Sequence, residues 1–173
     1  MEKNPESQAL RLLASNAAYA RQFSPQDWPI QPARKTAVVT CMDARMDPLA
    51  FLGAQLGDVH VIRNAGGRVT DDVIRSLVIS EQLLGTEEIL VIHHTDCGMA
   101  TFQNEALRRR IAETLGPEAE QEAQTIDFLP FADLAESVRE DIRKLRQSPL
   151  ISKHIRIYGA IYDIHTGKLE RVE

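Results

Sequence analysis

Two short runs of aliphatic and β-branched residues stop abruptly at polar clusters. Ala37-Val38-Val39-Thr40 runs into Cys41, and residues 88–92 (EILVI) run into His93-His94-Thr95-Asp96-Cys97-Gly98. Unbroken apolar runs of this length predict strands buried on both faces. A third strand is expected over 59–63, and a strand with a hairpin over 155–164 and 168–172 around Thr166-Gly167. Helical spacing fills the intervals. Asn4-Pro5-Glu6 reads as a cap, a first-turn proline and an acid, followed by Leu10, Leu13 and Ala17, so an arm of about 4–22 is expected. Residues 23–34 hold three prolines and no period, and form a connector. Thr70, Asp71 and Asp72 open a helix whose core face is Ile74, Leu77, Val78 and Leu84, with Gly85 as its stop. Further helices are expected near 101–115 and 131–146, with Pro117 and Pro130 bounding a polar middle. Strands alternating with helices define an α/β fold, a central mostly parallel β-sheet flanked by helices.

Length and composition narrow this picture. At 173 residues and 43% hydrophobic, the chain suits a single domain over 1–173. No apolar stretch approaches a membrane span, and the start MEKNPESQ lacks an apolar export segment, so a soluble cytoplasmic protein is expected. The net charge is -5, with acids and bases interleaved as in SVREDIRKLR (137–146), which argues against nucleic acid as a partner. That charge run reads as a solvated helix face.

Only two cysteines occur, Cys41 and Cys97. In a reducing compartment, metal binding or catalysis explains such a pair better than a disulfide. Both lie at the ends of central strands, the edge where open α/β sheets build sites. His94-x-x-Cys97 brings an imidazole and a thiol to one turn, which Gly98 permits, and Cys41-Met42-Asp43-Ala44-Arg45 adds a second thiol with an acid and a base. Extended backbone would put Cys41, Asp43 and Arg45 on one side. Two thiolates and an imidazole suit zinc, with Asp43 as a possible fourth ligand. If Asp43 binds the metal the site is closed. If Arg45 draws it away, a position opens for water, whose pKa zinc can lower to about 7. A closed site serving only structure is the alternative. Arg63-Asn64-Ala65-Gly66-Gly67 reads as a strand-to-helix turn, because it lacks either nucleotide-binding glycine spacing. His93 should point away from His94 into the core, and His60 could either shuttle protons or sit as a polar residue on a partly exposed strand. Phe51, Leu52 and Phe102 either line a narrow apolar pocket or pack the core.

With these residues in hand, the chain resembles the β-class carbonic anhydrases, which pair Cys-x-Asp-x-Arg with a later His-x-x-Cys. CMDAR at 41–45 and HTDC at 94–97 match both motifs. The similarity continues through Gln55-Leu56-Gly57-Asp58, VIRNAGG at 61–67, Cys97-Gly98 and the ending IRIYGAIYDIHTGKLE. The resemblance implies Zn2+ on Cys41, His94 and Cys97, a catalytic Asp43–Arg45 dyad, and Gln55 and Gly98 at the substrate pocket, Gln55 reaching it from the neighbouring subunit. It also implies a homodimer, or a tetramer or larger assembly, with the N-terminal helix packed across the dimer. Reversible hydration of carbon dioxide to bicarbonate is the activity implied. The compact length and the RNAGG and HTDCGM segments also resemble the branch that contains carbonyl sulfide and carbon disulfide hydrolases, which share the zinc site and release hydrogen sulfide. Val39-Thr40 stand where members with an inhibitory bicarbonate site carry glycine and tryptophan, so that site is not expected.

Overall fold

The computed structural model describes residues 7–172. The expected helix start at Asn4-Pro5-Glu6 lies outside them. Helix α1 (Gln8–Gln22) follows Ser7 and buries none of its residues. Strand β1 (Thr36–Cys41), short helix α2 (Pro48–Phe51), strand β2 (Val59–Asn64), helix α3 (Asp71–Gln82) and strand β3 (Glu88–His94) come next. Helices α4 (Asn104–Leu115), α5 (Pro117–Ala123) and α6 (Leu134–Gln147), then strands β4 (Arg156–Tyr162) and β5 (Leu169–Val172), complete the chain. The strands form one sheet in the order β2-β1-β3-β4-β5, parallel except for the antiparallel β4–β5 pair.

The period-2 geometry of strands divides the sheet residues between two faces. Ala37, Val39, Ile89, Val91 and Ile157 pack with Val73, Ile74 and Leu77 of α3 and Val138, Ile142 and Leu145 of α6. Val38, Ile92 and Ala160 look the other way, toward Phe51 and Leu52. Gly159 lets α6 pack closely on β4, since a Cβ there would lie 2.5 Å from a methyl of Val138 and 2.6 Å from Ile142 Cδ1. Caps set the starts of the packed helices: the Thr70 side chain accepts from the Val73 N–H, and Asp133 accepts from that of Glu136.

Three features depart from the sequence expectation. Strand β3 extends through His93 and His94, so both histidines belong to the sheet rather than to the loop after it. The polar middle contains α5, begun by Pro117 at a first-turn position that needs no N–H. The run 137–146 is only half solvated: Ser137, Val138, Asp141, Ile142 and Leu145 are buried. Asp141 is buried because Arg68 Nε lies 3.0 Å and His93 Nε2 3.1 Å from its Oδ2. Among the described residues no helix is long and apolar enough to cross a membrane.

Candidate metal centre

Parallel pairing puts the C-terminal ends of β1 and β3 side by side, Thr40 opposite Ile92. The Thr40 hydroxyl donates to the Ile92 carbonyl at 2.8 Å and ties the two ends together. One residue beyond on β1 is Cys41, and two beyond on β3 is His94. The chain then turns at Asp96, in the left-handed region with φ 54°, and returns Cys97 to the same place. One donor atom from each of Cys41, His94 and Cys97 lies within 4.8 Å of the others, and all three residues are buried.

The donors suit a metal such as zinc. His94 Nδ1 lies 2.8 Å from the Thr95 carbonyl, so Nδ1 carries the proton and Nε2 presents its lone pair. Nε2 is buried with no hydrogen-bond partner, as expected of an atom awaiting a ligand. The Cys41 thiol is lowered to about 4, chiefly by the hydrogen bond from Cys97, and the Cys97 thiol is raised by the Cys41 thiolate it faces. Burial pushes the His94 imidazole down, but Cys41, the Thr95 carbonyl and Asp43 together push it up further and the net shift is upward. A thiolate, a thiol and an imidazole gathered this closely form a soft donor set.

Asp43 is turned away from the donors and toward Arg45. Extended backbone does not do this. The chain bends after Met42, the Met46 N–H donates to the Asp43 carbonyl at 3.1 Å, and the Arg45 N–H donates to Asp43 Oδ1 at 2.9 Å. The bend brings the Arg45 guanidinium onto both carboxylate oxygens and holds the Asp43 carboxyl well below the usual carboxylate range. His94 Nε2 and Asp43 Oδ2 are 3.8 Å apart, so the carboxylate held by Arg45 stands beside the donors without joining them. Cys41, Asp43, Cys97, Gly98 and the two methionines Met42 and Met99 contribute to a cavity of about 330 Å³ beside the donors.

Gly98 lines the cavity, and a Cβ there would meet open space. Gln55 lies on the exposed loop after α2, where its N–H donates to Asp58 at 2.9 Å, and it does not line this cavity. His93 is buried on the opposite side of β3, with Nδ1 2.7 Å from the Ser137 hydroxyl. His60, near the start of β2, contacts the Ser80 hydroxyl at 2.7 Å, at the end of the sheet remote from the donors. Phe51 and Phe102 pack behind the cysteines rather than lining the cavity, with Phe51 stacked on Tyr162. Val39 and Thr40 are fully buried core.

Two contributors escaped the sequence reading. Arg63 reaches from β2 to donate to the carbonyls of Cys41 at 2.9 Å and Asp43 at 2.6 Å, gripping the segment that carries a metal donor and the acid. Asp96 contacts Arg45 from the far side at 2.8 Å. Gly66 and Gly67 also have a reason to be glycine. Gly67, at φ +69°, packs so closely that a Cβ would come within 2.8 Å of the Thr40 carbonyl carbon.

Comparison with known proteins agrees with this geometry. The carbonic anhydrase family model matches residues 36–169. The chain is 44% identical to β-carbonic anhydrase 1 of Mycobacterium tuberculosis, over 92% of this chain and 94% of that one. It is 37% identical to a carbon disulfide hydrolase of an Acidianus species, over 80% and 77% of the two chains. The crystal structure of a carbonic anhydrase from Streptococcus mutans superposes with a TM-score of 0.90 at 50% identity, covering 96% of this chain and 98% of that one. With the family match spanning most of the chain, relatives at 44% identity and the same fold at a TM-score of 0.90, this chain belongs to the β-carbonic anhydrase family.

Proposed function

We propose that this protein is a cytoplasmic enzyme that catalyses the zinc-dependent reversible hydration of carbon dioxide, with Cys41, His94 and Cys97 as ligands and Asp43 and Arg45 as the catalytic pair. The observation that carries this reading is the contact of Arg45 with both oxygens of Asp43 at 3.0 and 2.8 Å, which keeps the carboxylate off the three donors. Cys41, His94 and Cys97 would hold the zinc, which would supply the Lewis acidity that makes water available as a nucleophile near neutral pH.

The protein's own groups do the rest. Asp43 accepts a hydrogen bond from the attacking water and orients its lone pair toward the substrate carbon. Arg45 keeps Asp43 ionised and in place. Gly98 leaves room for a small linear substrate to approach. Carbon dioxide and water give bicarbonate and one proton, and the proton must leave through solvent or a buffer.

We further propose that the working form is a homodimer, or a larger assembly built on it. Leu12, Leu13 and Tyr19 of α1 are exposed in the single chain, and a second copy would cover them and bring its Gln55 to this pocket. The whole of 1–173 is read as one domain.

Hydrolysis of carbonyl sulfide or carbon disulfide is the second reading. It is favoured by the 37% identity to a carbon disulfide hydrolase, and the same attack on carbon would release hydrogen sulfide. Stopped-flow carbon dioxide hydration by zinc-loaded protein, with sulfide release from both sulfur gases measured on the same sample, separates the two. Fast hydration supports the anhydrase, sulfide release without hydration supports the hydrolase, and silence on all three gases overturns both.

A further inference from the structure

Arg45 sits between two carboxylates. Nε and Nη2 face Asp43, while Nη1 donates to Asp96 Oδ2 at 2.8 Å and Nη2 also donates to the Asp96 carbonyl at 3.0 Å. A guanidinium is a rigid planar fork, so acceptors on a second edge tie it to the turn after β3, where the bidentate bond to Asp43 alone would leave the pair free to swing as a unit. Asp96 is placed by the backbone, although its side chain is 61% exposed. It stands between His94 and Cys97, and its backbone has a left-handed φ of 54°, a conformation that aspartate tolerates better than most residues. Its carboxylate points at Arg45 and does not line the cavity.

We propose that Asp96 is a positioning residue that clamps Arg45 in the orientation from which it retains Asp43, so that Asp43 stays off the metal. This rests on the reading of Asp43 and Arg45 given above. Without the Asp96 carboxylate, Arg45 turns toward solvent more often, Asp43 is released to the metal more often, and fewer molecules have an open coordination position.

The test uses Asp96→Gly in the full chain, loaded with zinc for kinetics and with cobalt for spectroscopy. Glycine adopts the left-handed backbone freely and keeps the carbonyl acceptor, so only the carboxylate is lost. Asp96→Asn, which also tolerates this backbone, serves as a second variant. Azide needs an open metal position, so its dissociation constant, read from cobalt absorption at one fixed pH, reports the open fraction. With full metal content, Asp96→Gly is expected to raise that constant by up to about fivefold, the scale of one exposed charge pair, and to lower kcat with KM little changed. Asp96→Asn, which keeps an acceptor but loses the charge, is expected to fall between this variant and the parent. Azide affinity and kcat equal to the parent in both variants would overturn the proposal. So would loss of the metal, since Asp96 would then serve the ligand turn rather than Arg45. If the parent hydrates no carbon dioxide and releases no sulfide, the proposed function falls, while the azide comparison still decides the role of Asp96.

Discussion

Arg45 meets both carboxylate oxygens of Asp43, with Nε 3.0 Å from Oδ1 and Nη2 2.8 Å from Oδ2. Two parallel bonds of this kind orient a carboxylate as well as neutralising it. Because Asp43 is held away from the three donors, Asp43→Ala should retain full zinc while kcat/KM falls on the order of 10²-fold, a typical loss for a positioned acid or base. Metal analysis beside stopped-flow hydration checks this. Loss of zinc together with activity would make Asp43 a structural ligand.

Gly67 stands against the peptide that presents Cys41. In Gly67→Ala a methyl would sit 2.8 Å from Thr40 C and 2.9 Å from Cys41 N at a φ of +69°. A destabilisation of about 2 kcal/mol or more is expected, with weakened zinc binding. Gly85→Ala is the control: its φ is +74°, but nothing lies within 4 Å of the added methyl, so only the backbone cost of about 1 kcal/mol applies. Urea unfolding of the pair measures the difference.

Asp141 is the buried partner of Arg68 and His93, with Glu140 also 3.0 Å from Arg68. Truncation to alanine leaves a buried guanidinium short of one carboxylate. The expected loss is about 3 kcal/mol, at the low end for a broken buried pair because Glu140 remains. Replacing Arg68 and Asp141 together with leucine should recover part of it. Equal losses in the single and double variants would show that the charges themselves are not what Asp141 stabilises.

Acid should destabilise the metal-free protein. The carboxyls of Glu87, Asp127, Glu136 and Asp163 are all held below their ordinary values. The chief causes are the Lys35 ammonium, the Asn104 amide, the Arg143 guanidinium and the His165 N–H, respectively. A carboxyl depressed in the folded state contributes stability that is complete above its unfolded value of about 4 and disappears as pH falls through the folded value. The urea midpoint should therefore be lower at about pH 3.5 than at about pH 6. Asp127→Asn should narrow that gap, and an unchanged gap would take Asp127 out of the linkage.

The sheet and the donor set were legible because local pattern carries them. Apolar runs marked β1 and β3, and their polar ends marked Cys41, His94 and Cys97. The meeting of Asp43 and Arg45 was legible as chemistry and wrong as geometry, since it depends on a bend at Asp43–Met46 rather than on strand alternation. Asp141 looked solvated within its charge run because nothing local reveals that Arg68, far away in the chain, is packed against it. Arg63 and Asp96 were missed for the same reason: each acts on a segment brought near only by the sheet order.

That sheet order also makes the site a fastener. Cys41 and His94 close neighbouring strands and Cys97 follows the second, and α2, β2 and α3 form the loop of chain between them. An ion gripped by all three would restrain that loop in the unfolded chain as a covalent tie does, and would favour the folded state by mass action. Chelation would thus remove more than reactivity. It would loosen the strand ends that hold Asp43 and Arg45 in register, so inactivation and softening of the fold would arrive together.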